Sequence, residues 1–194
     1  MIWRWHREEE KKLEIESPRI MITPESLADL RLYTMLCDVE ISGFGKAMRL
    51  NDGNFIISDI ITFPQHCGPM GTVLDDQAQA DFLESLPADQ NPGDYRLWWH
   101  SHVFANASWS ETDFNTIERF DYADFWISIV LNKWREERVM LDFFQPKRKR
   151  IDRLPLFLNK PITEEEFRLL LKCRRFDIEK QIAQKIIISQ DIEC

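Results

Sequence analysis

Residues 97–113 read Leu-Trp-Trp-His-Ser-His-Val-Phe-Ala-Asn-Ala-Ser-Trp-Ser-Glu-Thr-Asp, the most informative stretch of the chain. Tyr95 to Ser101 is rich in aromatic residues and predicts a strand. Alternate residues of a strand share a face, so His100 and His102 project together. After seven intervening residues Ser110 opens a helix, with Asp113 in its first turn. Two imidazoles and one carboxylate make a three-ligand metal site that leaves a fourth position for water, the catalytic form of a zinc site. Each half has a plain reading of its own. A His-x-His pair can be two polar residues on a solvated strand face, and Ser110-x-x-Asp113 is also a capping box.

Around this stretch the pattern alternates between helix and strand. Arg19 to Ile22 reads as a short strand. Thr23-Pro24-Glu25 is a helix start, with a hydroxyl cap and proline in the first turn. Leu27, Leu30, Tyr33 and Leu36 follow at helical spacing. Glu40–Leu50 and Asn54–Phe63 read as strands joined by the turn Asn51-Asp52-Gly53. Residues 64–75 read as a loop, 76–86 as a short helix, and 111–121 as another. Phe125–Leu131 and Arg138–Gln145 form a second hairpin. The order predicts an α/β or α+β fold, a mixed sheet with helices on its faces.

Three segments are distinguished. Residues 1–17 form a charged N-terminal arm holding Trp3, Trp5 and His6; residues 18–145 carry the site. Residues 146–194 read as a basic linker, Pro146 to Arg150, and a C-terminal helix from the capping box Thr163/Glu166 to about Ile188. The apolar stripe of that helix, Phe167, Leu171, Ile178, Ile182 and Ile186, must pack on its own domain, on a second copy in a homodimer, or on a partner.

Composition narrows the function. The 194 residues carry 25 Lys and Arg against 33 Asp and Glu, a net charge of −8, which disfavours nucleic-acid binding. Six glycines with no cluster exclude a phosphate-cradling loop. Cys37, Cys67, Cys173 and Cys194 have neither disulfide-framework nor zinc-knuckle spacing. The charged start of the chain is no signal peptide, and no apolar run spans a bilayer. A cytoplasmic protein is the expectation.

The pattern His100-Ser-His102, seven residues, Ser110-x-x-Asp113, with Glu40 upstream in Glu-Ile-Ser-Gly-Phe-Gly, resembles the JAMM motif of MPN-domain zinc metalloproteases. His100-Ser-His-Val103 is most similar to the compact prokaryotic JAB group. Many members have proline where this chain has Val103, and the insertion that eukaryotic deubiquitinating members carry after the aspartate is missing. The resemblance spans about residues 20–145. It implies a cytidine-deaminase-like sandwich, Zn2+ held by His100, His102 and Asp113, Glu40 as general base, and Ser110 as oxyanion donor. It implies an isopeptidase or endopeptidase that removes or processes a ubiquitin-like protein at its C-terminal glycine. Activating- or conjugating-like proteins of the same pathway would be its partners. A non-catalytic MPN scaffold is the alternative, though scaffold members usually lack the histidines or the glutamate. A nucleobase deaminase is excluded because the chain has no glutamate beside its histidine and no Pro-Cys-x-x-Cys.

Other residues have two readings. His66 and Cys67 lie in the 64–75 loop, as surface residues or as a wall of the substrate cleft, with Cys67 also weighed as a fourth ligand. Trp98, Trp99, Trp109 and Trp126 suit core and cleft wall. Gly43 and Gly45 within a strand suggest close backbone approach or a bulge.

Overall fold

A computed structural model describes residues 17–68 and 71–189. The elements run β1 (Ile20–Ile22), α1 (Pro24–Leu36), β2 (Ser42–Arg49), β3 (Phe55–Ile61), β4 (Gln65–Gly68), β5 (Gly71–Leu74), α2 (Asp76–Glu84), β6 (Leu97–Ser101) and α3 (Glu111–Glu118). They continue with β7 (Phe125–Leu131), β8 (Glu137–Phe143), β9 (Lys149–Leu154), β10 (Leu156–Leu158), α4 (Glu164–Lys185) and β11 (Ile186–Ile188). The fold is mixed α/β. Eight strands form one sheet in the order β10-β1-β3-β2-β6-β7-β8-β9, and β11-β4-β5 form a second. β6 runs parallel to β7 and antiparallel to β2, so the sheet is mixed at the strand that carries the histidines.

Sheet alternation divides the core in two. On one face Leu97, Trp99, Ile127, Ile129 and Leu141 pack with Leu30 and Tyr33 of α1 and Ile178 of α4. On the other, Trp98, Trp126 and Met140 pack with Ile117 of α3 and Phe120 beyond its end. His100 falls on this second face, two residues from Trp98. α1 starts where the sequence places it: the Thr23 hydroxyl accepts from the Ser26 amide, with Pro24 in the first turn.

The two glycines of β2 are there for space. A Cβ on Gly43 would lie 2.0 Å from the Ile61 carbonyl oxygen and 2.9 Å from the Trp99 ring. One on Gly45 would lie 2.4 Å from the Asp59 oxygen. Close approach is thus the reading that holds at both glycines, and the register with β3 shifts further along, between Lys46 and Ala47.

Three expectations are corrected. Residues 64–75 are not a loop but chiefly the hairpin β4–β5, with Cys67 opposite Thr72. The run from Pro146 is exposed, but it is a short link between β8 and β9 and not a linker to the helix. Residues 149–158 form β9 and β10 of the main sheet, and β10 lies parallel to β1. Acids on neighbouring elements pair the run's two arginines: Arg150 Nε donates to Asp142 Oδ1 at 2.7 Å, and Arg148 pairs with Glu118 of α3. Ile151 and Leu154 meanwhile pack into the core. The final helix ends at Lys185. Three isoleucines then form β11, parallel to β4, because β-branched side chains favour an extended backbone. α4 packs on its own domain against α1, where Arg174 pairs with Asp29 and Tyr33 Oη donates to Gln181 at 2.8 Å. Residues 1–16 of the charged arm, with Trp3, Trp5 and His6, lie outside the described residues, as does Cys194. Among the described residues no helix is long and apolar enough to cross a membrane.

Candidate metal centre

β6 and the first turn of α3 together build the site. His100 is the fourth residue of β6, buried, and Trp98 stacks on its ring at 4.5 Å between centroids. His102 follows β6 directly and its amide donates to the Leu131 carbonyl at 2.8 Å, which keeps it aligned with β7. Val103 then takes a left-handed backbone with φ 43°, a strained conformation for a β-branched residue, at the point where the chain leaves the sheet.

Asp113 is held by the capping box read from the sequence. The Ser110 amide donates to Asp113 Oδ2 at 2.7 Å, and the Asp113 amide donates to Ser110 Oγ at 3.1 Å. That leaves Oδ1 facing His100 Nε2 at 3.2 Å. His100 Nε2 and His102 Nε2 are 3.0 Å apart, and Asp113 Oδ2 is 3.7 Å from His102 Nε2. Four-coordinate metal bonds of about 2.0–2.1 Å put neighbouring ligand atoms roughly 3.3 Å apart, so this spacing suits one ion. Among the described residues, His100, His102 and Asp113 form a group that could hold a metal ion.

The donor set fits such an ion in charge state as well. His102 Nδ1 lies 2.9 Å from the Asn106 carbonyl oxygen, which can only accept. Nδ1 therefore carries the hydrogen, and the Nε2 lone pair is left for a metal. Burial lowers the His100 pKa, with Asp113 opposing, and so favours the neutral ring that ligation needs. Burial alone would raise the Asp113 carboxyl, but the His100 contact and the Ser110 hydrogen bonds hold it down at about 2.

Glu40 stands just ahead of β2. Its amide donates to the Gly68 carbonyl at 3.2 Å, and the next amide, of Ile41, donates to Ser101 Oγ at 3.2 Å. The serine between the two histidines thus fixes the backbone beside Glu40. Burial pushes the Glu40 carboxyl up to about 7, with His102 lowering it and Asp113 raising it, so both predicted ligands act on it electrostatically.

Of the other predicted residues, neither His66 nor Cys67 belongs to the metal group. His66 is exposed, with Nδ1 3.1 Å from Ser189 Oγ. Cys67 is buried with Sγ 3.4 Å from Gln65 Oε1, and burial pushes its thiol up to about 11. Trp109 reaches the site, its ring 5.9 Å from that of His100. Two contributors escape sequence reasoning. Asn106 acts through its backbone oxygen, which leaves no side-chain signature. The role of Ser101 appears only when β2 and β6 are paired. A cavity of about 500 Å3 opens on the same face of the sheet, lined by Phe44, Phe63, Phe82, Tyr95, Phe120 and Trp126 among others.

No protein-family model matches the chain, and no curated protein matches its sequence.

Proposed function

We propose that this chain is a zinc-dependent isopeptidase or endopeptidase of the JAMM type. Its substrate would be a ubiquitin-like protein or its conjugates, cut at the C-terminal glycine of that protein. One observation carries the reading: two imidazole nitrogens and a carboxylate lie close enough to share one ion, and a second, part-buried carboxylate, Glu40, feels two of them electrostatically. The mixed N2O donor set suits zinc better than magnesium or calcium, which prefer all-oxygen shells. In fold terms the reading corresponds to a cytidine-deaminase-like sandwich, and it implies an enzyme of the cytoplasm.

A zinc ion in this site supplies Lewis-acid polarisation of the scissile carbonyl and lowers the pKa of a water to about 7. The chain's own residues do the rest. Glu40 would take a proton from the attacking water and pass it to the leaving amine, a shuttle for which a carboxylate in electrostatic reach of His102 and Asp113 is placed. Ser110 Oγ accepts the Asp113 amide, and its hydroxyl proton, which bonds the Asp113 carboxylate in the resting site, would turn to donate to the carbonyl oxygen as negative charge develops. Trp98 and Asn106 hold the two rings in place.

The test is cleavage of ubiquitin-like proteins fused through a C-terminal Gly-Gly to a peptide or to a lysine side chain, using zinc-loaded protein. Release of the intact ubiquitin-like protein, lost in Glu40→Gln, is the expected result. A protein that binds zinc but cleaves no such fusion, and any small peptide no faster than Glu40→Gln does, would be a scaffold instead.

A further inference from the structure

α4 has two stripes, and only one of them is covered. Phe167, Leu171, Ile178 and Ile182 face the core, and Arg174 and Gln181 between them bond to α1. Two residues further along a helix lies roughly 200° around it. Adding two to positions 167, 171, 174 and 178 gives Leu169, Cys173, Phe176 and Lys180, which form the opposite side and are all exposed. Leu169 is 61 % exposed and Phe176 72 %. A single exposed apolar residue needs no explanation, but here two stand one heptad apart with a free cysteine between them.

The charges on this stripe say what covers it. Glu165 stands at the N-terminal end and Lys180 at the C-terminal end; both are exposed, and neither forms an ion pair among the described residues. An antiparallel copy of the helix centred between Lys172 and Cys173 sets Leu169 against Phe176 of its mate. The same centre sets Glu165 against Lys180. Each contact then occurs twice, as a two-fold interface requires. The acids that this register also brings near each other, Glu166 and Glu179, are already engaged by Thr163 and Arg175. An unrelated partner would not require the apolar and the charged pairs to share one centre.

We propose that the outer face of α4 is a homodimer interface, in which two copies pack antiparallel with Leu169 on Phe176 and Glu165 on Lys180. The proposal is independent of the metal centre, because α4 lies on the α1 side of the sheet and the histidines on the other.

The experiment is the mass of the full chain in solution by light scattering across a concentration series. Twice the chain mass of 23.2 kDa is expected at high concentration. Phe176→Glu should weaken dimerisation at least ~tenfold. Glu165→Lys alone should weaken it, and Glu165→Lys with Lys180→Glu should restore it, since reversing both ends returns the opposite-charge contacts. These are exposed positions, so circular dichroism should show an unchanged fold. In a Cys194→Ser background, mild oxidation should link the chains through Cys173, and Cys173→Ser should abolish the link. A monomer at every concentration, or a dimer indifferent to both Phe176→Glu and the charge reversals, overturns the proposal.

Discussion

His100 Nε2 and His102 Nε2 face each other across 3.0 Å, with Asp113 Oδ1 3.2 Å from the first. Three ligand atoms held this close, one of them on a carboxylate kept ionised, are already gathered for one cation. Zinc should therefore bind at about one per chain and raise the melting temperature. At a thousandfold excess over its Kd it should add about 4 kcal/mol. His100→Ala and the His100→Ala/His102→Ala double variant should lose both the metal and the stabilisation, read by elemental analysis and thermal unfolding.

Glu40 gives the pH dependence a sign. Its pKa is raised from 4.5 to about 7 in the fold, so the folded state holds this proton more tightly than the unfolded chain. That contribution is full below pH 4.5 and is lost as the pH rises through 7. In metal-free protein Glu40→Gln should therefore be more stable than the parent at pH 8, by about 1–2 kcal/mol after allowing for the part of the carboxylate that water reaches. The gap should close toward pH 4. With zinc present the same variant should keep the metal but lose at least ~100-fold in turnover.

Ser110 should show two separable losses. Ser110→Ala removes the acceptor for the Asp113 amide, a cap worth about 1 kcal/mol. It also removes the hydroxyl donor, worth roughly 100-fold in kcat. Ser110→Thr keeps both functions and should recover most of the stability and the rate.

Asp29 is almost fully buried beneath α4 and bonds to Arg174. Arg174→Ala strands that carboxylate and should cost about 3 kcal/mol in chemical denaturation. Adding Asp29→Asn should recover a large part of the loss, because the uncompensated charge is then gone.

Gly43→Ala places a methyl 2.0 Å from the Ile61 oxygen, at backbone that cannot move without parting β2 from β3. Destabilisation above about 3 kcal/mol is expected. Any folded fraction should bind zinc poorly, because Ser42, beside Gly43, is paired with His100.

Whatever could be read from the chain alone is local. The His-x-His spacing on a strand, the Ser110/Asp113 and Thr163/Glu166 boxes, the Thr23-Pro24 helix start and the Gly53 turn all depend on residues within a few positions of one another. Period and capping chemistry act at that range, so these elements are legible in the sequence. The glycines of β2 even announce a close approach without naming the neighbour. The remaining features depend on partners brought in by folding. Lys149 to Leu154 is a strand because β8 supplies its ladder, and Arg150 at its start is held there by Asp142 of β8 and by Glu118 of α3. Gln65 to Gly68 is one because β5 and three isoleucines from late in the chain supply its hydrogen bonds on either side. Glu40 comes beside the ligands through the pairing of β2 with β6, and its raised pKa comes from burial, which no spacing records. Backbone hydrogen bonds and desolvation depend on what lies across the fold, and a linear pattern carries neither.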